Sequence, residues 1–286
     1  MTKPFLLALV LVSAPLPATA CEAVEGLRPL LEPGSVLLLG EMHGTAESPG
    51  FVSRAACLAH EAGRAVTVAL EIPVQEEPLI SAYLGSPGEE KDRAALLKGA
   101  FWADSYQDGR RSRAMLALLE ELRKLRRQGS PVHVALLDTT VPPADGRSRD
   151  HVMADNLKAA AEASPQDVVI ALTGNLHSRV TLGSPWNPKY EPMGYFFTQA
   201  EPQRKVTALD VAYSGGTAWT CESGEAASCT ERALGGEGDE KGVRVIPHPL
   251  EGGFHGVYNV GRLTASPPAA QGAPAGTSRQ GRVNSD

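Results

Sequence analysis

Five short aliphatic runs, each closed by a polar residue of a type that does chemistry, set the limits on this fold. Val36 to Leu39 leads into Gly40-Glu41-Met42-His43-Gly44-Thr45, Val66 to Leu70 into Glu71, and Val132 to Leu137 into Asp138. Val168 to Thr173 leads into Gly174-Asn175-Leu176-His177, and the run from Val206 closes on Asp210. Apolar runs of this length, rich in Val and Ala, suit strands of a parallel sheet covered on both faces. The stretches between them have helical character: Phe51 to Ala62, a mixed region from Glu76 to Gly99, Ser112 to Gln128, and Arg149 to Ala163. In Ser112 to Gln128, Met115, Leu118, Leu119, Leu122 and Leu125 form one stripe opposite Arg and Lys, and Gly129 ends the helix. Repeated β-α-β units with right-handed crossovers predict an α/β fold, a parallel doubly wound sheet flanked by helices. The carboxyl ends of neighbouring strands in such a sheet open on one crevice, so polar groups far apart in sequence are expected to converge there.

Past Gly183 the pattern loosens into Pro- and Gly-rich segments, with a strand at Val206 to Val211 and β-like pieces near Val243 and Val257. From Thr264 to Asp286, Pro, Ala, Gly and Ser dominate with almost no aliphatic residues, which predicts a disordered tail over 264–286. At 286 residues and 42% hydrophobic content the chain is long and apolar enough for a single core, and the remainder, 21–263, is expected to form one domain around it. Residues 1–20 have the order of an export signal: Lys3, the apolar Phe5 to Val12, then Ala18-Thr19-Ala20 as a small-residue cleavage site. The apolar stretch is far short of the ~20 residues that span a bilayer. Cleavage would leave Cys21 first, in a periplasmic or secreted protein. Cys21 also stands where a lipoprotein carries its lipid, although Ala18 occupies a position usually held by Leu.

Export allows cysteines to pair. Cys221 and Cys229, eight apart among Gly, Ser and Glu, suit a disulfide that closes a surface loop. Cys57 falls in the apolar phase of its helix, where it either pairs with Cys21 or is a small buried hydrophobe. A net charge of -6 gives no electrostatic reason to expect nucleic acid, and the chain has neither a Gly-rich phosphate loop nor a dinucleotide fingerprint. A small molecule is the expected partner, with membrane contact only through lipidation at Cys21.

Glu41 and His43, two apart in a loop, are able to aim at one volume, with Gly40 expected to turn the backbone off its strand. Glu71, flanked by apolar residues, must be paired, hydrogen-bonded or raised in pKa. Gly174 permits a tight turn, and Asn175 offers a donor and an acceptor beside His177. Asp150 is either a helix cap or a site residue. Arg149 and Arg110 either bind an acidic or carbonyl-bearing part of a ligand or pair with Glu71. Two His and two Glu in one cleft suit hydrolysis, one imidazole acting as general base while carboxylates fix its tautomer. The same four side chains are ligand types for a divalent ion, although no HExxH motif is present.

These segments resemble the superfamily that holds the erythromycin-esterase-like hydrolases, the ChaN-type haem-binding lipoproteins and the Tiki and TraB proteins. The resemblance rests on Gly40-Glu41-x-His43, Glu71, Arg149-Asp150-x-x-Met153-Ala154-x-Asn156 and Gly174-Asn175-x-His177, in matching order and spacing over Ser35 to Arg179. His43-Gly44-Thr45-x-Glu47 is similar to the esterase-like branch, whereas the single residue between Glu41 and His43 is similar to the ChaN-type loop. The first branch implies that Glu41, His43, Glu71 and His177 activate water for attack on an ester without a metal or other cofactor. The second implies haem, often bound through Tyr, for which Tyr106 is the candidate. The Tiki branch implies a metal-dependent hydrolase or peptidase using the same four residues.

Protein recovered from its native envelope is expected to begin at Cys21, and intact mass checks it. Retained Met1 would contradict export, and the added mass of a diacylglycerol would establish lipidation.

Overall fold

The computed structural model describes residues 21–141 and 143–270. The expected signal segment 1–20 and the last part of the expected tail, 271–286, lie outside the described residues. The chain runs through β1 (Val36–Glu41), α1 (Glu47–Glu61), β2 (Val66–Pro73), α2 (Glu77–Gly85), α3 (Glu90–Leu96) and α4 (Ala100–Ala103). It continues through α5 (Arg113–Arg127), β3 (Val132–Asp138), α6 (Arg149–Ala163), β4 (Val168–Gly174), α7 (Met193–Ala200) and β5 (Val206–Ala212). The last strands are β6 (Gly216–Cys221), β7 (Cys229–Leu234), β8 (Arg244–Glu251) and β9 (Phe254–Asn259).

Seven strands form one sheet in the order β3-β2-β4-β1-β5-β9-β8. All neighbours are parallel except the edge pair β8–β9. The three strands that are buried along their whole length, β1, β2 and β4, lie side by side in the middle, which is why their sequences show no polar alternation. Successive side chains nevertheless divide between two cores, as the pleat requires. Leu37, Leu39, Val68, Leu70 and Leu172 face Phe51, Ala55, Leu118 and Leu122 of α1 and α5. Val36, Leu38, Ala69 and Ala171 face Met153, Leu157 and Phe197 of α6 and α7. The sheet is therefore wound on both faces.

Local signals explain most helix limits. Ser112 Oγ accepts from Met115 N at 3.2 Å to open α5, and Gly129 follows its end at φ +91°. Ser148 Oγ accepts from His151 N at 3.2 Å to open α6. The first helix starts at Glu47 rather than Phe51, since Pro49 is tolerated within a first turn. The mixed region resolves into α2 and α3.

Three expectations change. Gly40 stays inside β1 rather than turning the chain; an added Cβ there would lie 2.8 Å from Asn175 Cα, so glycine is required for close approach. The looser C-terminal part contains α7 and a β6–β7 hairpin separate from the main sheet. The segment 264–270, expected as tail, is anchored by backbone bonds that its composition does not reveal. Ala46 N donates to Thr264 O (3.0 Å), Ser266 N to Gly44 O (2.8 Å), and Ala269 N to Arg111 O (2.8 Å).

Both disulfides are formed. Cys221 and Cys229 are direct cross-strand partners in the hairpin, and Cys21 pairs with Cys57 in α1. The Cys21 sulfur in this bond is not available for a lipid thioether. Two disulfides fit an oxidising compartment, and no described helix is long and apolar enough to cross a membrane. Chain-entropy models give on the order of 2–3 kcal/mol for the short loop and about 4 kcal/mol for the longer one. Cys57→Ala is therefore expected to destabilise more than Cys221→Ala in denaturant titrations under non-reducing conditions. Peptide mapping without reductant should recover both linked pairs, and free alkylation of any of the four cysteines would contradict them.

Candidate active site

The carboxyl ends of β1, β2, β3 and β4 bring together Glu41, Glu71, Asp138 and the turn Gly174–His177. Register places Glu41 opposite Gly174, and Asn175 N continues the ladder by donating to Glu41 O at 3.1 Å. Glu71 occupies the centre. Its Oε2 accepts from Gly174 N at 2.7 Å, while its Oε1 accepts from Arg149 Nη2 at 2.7 Å and from Arg110 Nη1 at 3.4 Å. The same guanidiniums bind Asp138: Arg149 through Nε and Nη2, both at 2.7 Å, and Arg110 through Nη1 at 2.9 Å. Arg110 also forks onto Asp108 Oδ2 through Nε (3.0 Å) and Nη2 (2.8 Å). Burial pushes the Glu71 carboxyl up, but the charge and hydrogen bond of His43, with Arg149 adding to them, hold it well below the usual carboxylate range.

His43 bridges two carboxylates. Its Nδ1 lies 2.9 Å from Glu41 Oε1 and its Nε2 lies 3.5 Å from Glu71 Oε2. Burial lowers the imidazole pKa, but Glu71 and Glu41 together outweigh it and raise the value to about 10. An added Cβ at Gly174 would sit 2.9 Å from His43 Nε2, so the glycine of Gly-Asn-Leu-His clears space for this ring. Gly44, at φ +75°, lets the loop turn under the β6–β7 hairpin, where Trp219 N donates to Gly44 O at 2.9 Å. Trp219 Nε1 donates to Gln107 O at 2.9 Å, tying the same hairpin to the loop that carries Asp108 and Arg110.

His177 is held differently. Arg149 Nη1, which only donates, lies 2.9 Å from its Nε2, so Nε2 carries the lone pair and Nδ1 the proton, given to Asp150 Oδ1 at 2.7 Å. Asp150 also accepts from Tyr190 OH at 3.0 Å and from Met193 N at 2.8 Å. The cap of α6 is Ser148, which leaves Asp150 free for this task.

All four expected catalytic residues thus meet at the crevice, His177 Nε2 being 3.9 Å from Glu71 Oε1. Of the residues expected to bind substrate, Arg110 and Arg149 take the pairing alternative, their guanidiniums turned onto Glu71, Asp138, Asp108 and His177. Asn175 joins strand ends and faces Asp210, whose carboxyl burial pushes up to about 6. Asp138 was visible as a strand-ending carboxylate, but nothing in the sequence paired it with Arg149. Tyr190 carried no signal at all, arriving from a Pro- and Gly-rich segment.

The donor set does not fit a shared metal ion. Both nitrogens of His43 face carboxylates, Glu71 accepts from Gly174, Arg149 and Arg110, and the Arg149 guanidinium lies where a cation bound to His177 would have to sit. Among the described residues no group of three or more His, Cys, Asp or Glu side chains is arranged to hold one. Tyr106 OH donates to Ser223 O at 3.1 Å, which fastens its loop to the β6–β7 hairpin and gives haem ligation no support.

No family model matches the chain, and no curated protein matches it. Solved structures do. A succinoglycan biosynthesis protein superposes with TM-score 0.60 at 11% identity, over 88% of this chain and 95% of that one. Erythromycin esterase EreC, in an open conformation, gives 0.58 at 13% identity, over 83% and 93%. A Bacillus cereus protein gives 0.59 at 11% identity, over 84% and 91%. At such identities the likeness is one of fold, and the chain is built on the α/β fold shared by erythromycin esterase and these proteins.

Proposed function

We propose that this crevice hydrolyses an ester-type small molecule, with His43 as the proton-carrying group. The observation that supports it most is the setting of that one side chain. Glu71 and Asp138 are buried and neutralised by guanidiniums, Asp150 is taken up by three donors, and both arginines are turned onto carboxylates. Of the two crevice histidines, His43 is the more exposed, at 25% against 18%, and both of its ring nitrogens face carboxylates. At neutral pH it is an imidazolium, and Glu41 holds its Nδ1 proton, so the mobile proton is the one on Nε2.

An imidazolium donates before it accepts. As the ester C–O bond breaks, His43 Nε2 gives its proton to the departing alkoxide oxygen. It then takes back the proton shed by the water whose oxygen has bonded to the acyl carbon, so that ester and water become acid and alcohol and His43 ends as it began. Glu41 and Glu71 stabilise the charged ring, and Arg149 keeps Glu71 ionised. His177, with Asp150 and Tyr190, fixes Arg149 in place and is a positioning residue. No step in this scheme calls on a metal.

His43→Ala is expected to lower turnover of a reactive ester about a hundredfold or more, and His177→Ala about tenfold, with folding preserved by circular dichroism. Chelator should leave the wild-type rate unchanged. The rate should fall as pH rises through about 10, where His43 loses its proton. Stability follows the same sign: a raised imidazole pKa contributes fully below the unfolded value of 6.5 and is lost as pH climbs to about 10. Glu41→Gln should move both limbs to lower pH. A pH–rate profile that Glu41→Gln leaves in place would count against His43 as the titrating group.

A further inference from the structure

Among the described residues six large apolar side chains are exposed, and four of them lie on loops that leave the strand ends forming the crevice. Val74 follows β2, three residues beyond Glu71; Val141 follows β3, three beyond Asp138; Leu182 and Trp186 follow β4, in the loop beyond His177. The other two, Ile246 and Leu250, lie on the edge strand β8. Trp186 is 74% exposed and Val141 62%, unusual values for side chains whose cover by other atoms is favourable.

The loops after β2 and β3 are tied to each other, and the loop after β4 is tied to the site. Gln75, next to Val74, accepts from Thr140 N (3.4 Å) and donates to Thr139 Oγ1 (3.5 Å), just before Val141. The Trp186 loop is closed by Gly183 N to Tyr190 O (2.7 Å) and Ser184 N to Asn187 O (2.8 Å), and Tyr190 then reaches Asp150 beside His177. Trp186 is therefore held out at the tip of a hydrogen-bonded loop. Inside the crevice, the guanidiniums of Arg110 and Arg149 face the three carboxylates of Glu71, Asp138 and Asp108, which leaves no excess positive charge to capture an anionic group.

We infer that Val74, Val141, Leu182 and Trp186 form the binding rim for the apolar body of the substrate, so that the site selects esters carrying an extended, uncharged acyl or alkyl group. The inference rests on the hydrolytic reading for the bond broken and on the rim alone for the group bound. Continuity with the crevice identifies the occupant: all three loops begin at strand ends that carry site residues, so an apolar chain lying on them lies at the same end of the sheet as His43.

The test uses the full chain with 4-nitrophenyl acetate and 4-nitrophenyl octanoate below its critical micelle concentration. Octanoate is expected to exceed acetate in kcat/KM by about tenfold, and Trp186→Ala or Val141→Ser to cut that ratio several-fold through KM with kcat little changed. A separate titration with 2-decanone, an uncleavable chain, follows tryptophan emission in His43→Ala protein. A blue shift that Trp186→Phe abolishes supports the rim even if no ester is cleaved, in which case the hydrolytic reading alone fails. Ester cleavage with no chain-length preference, no response to the rim variants and no emission shift overturns the rim and leaves hydrolysis standing. Trp186-dependent binding to phosphatidylcholine vesicles without chain-length preference overturns it in favour of a membrane contact.

Discussion

Glu71 is the group on which the site depends. It is a buried carboxylate at the end of a central strand, and it simultaneously receives Gly174 N, two guanidiniums and the edge of the His43 imidazole. Burying such a charge is costly unless every lone pair is satisfied. Each partner here does so from a different element: β4, the loop before α5, the start of α6, and the loop after β1. The chain segments that bring these partners are thereby fixed relative to one another, and loss of the carboxylate would leave two guanidiniums without one of their counter-ions.

The arrangement follows from topology. The order β3-β2-β4-β1-β5 inserts β4 between β1 and β2, so Gly174 reaches Glu41 on one side and Glu71 on the other. Only a residue without Cβ leaves room at that point for His43. Asp138 on the outer strand β3 extends the cluster and gives Arg149 a second carboxylate. The hairpin β6–β7, closed by its disulfide, then grips both the His43 loop and the Gln107–Arg110 segment through Trp219.

Much of this was legible in the sequence because its cause is local or periodic. Unbroken apolar runs marked the central strands, the Met115 to Leu125 stripe marked α5, and polar residues at run ends marked the crevice. What escaped depends on contacts between distant segments. Pairing of Arg149 with both Glu71 and Asp138, the approach of Tyr190 to Asp150, and the anchoring of Thr264 to Ala270 by backbone bonds leave no trace in composition. Gly40 was noticed for the wrong reason: its backbone is ordinary strand, and the constraint comes from Asn175 in the turn just past the neighbouring strand β4. The upward shift of the His43 pKa was not legible either, since the charge of two facing carboxylates cannot be weighed before their distances are known.

The most direct test of the account is the protonation state of His43, read from the imidazole ¹⁵N and ¹³C shifts of histidine-labelled protein across pH, with His43→Gln supplying the assignment. The account predicts an imidazolium at pH 7 that persists until about pH 10. A ring that is neutral at pH 7 and titrates near 6.5, as in an unstructured peptide, would contradict it.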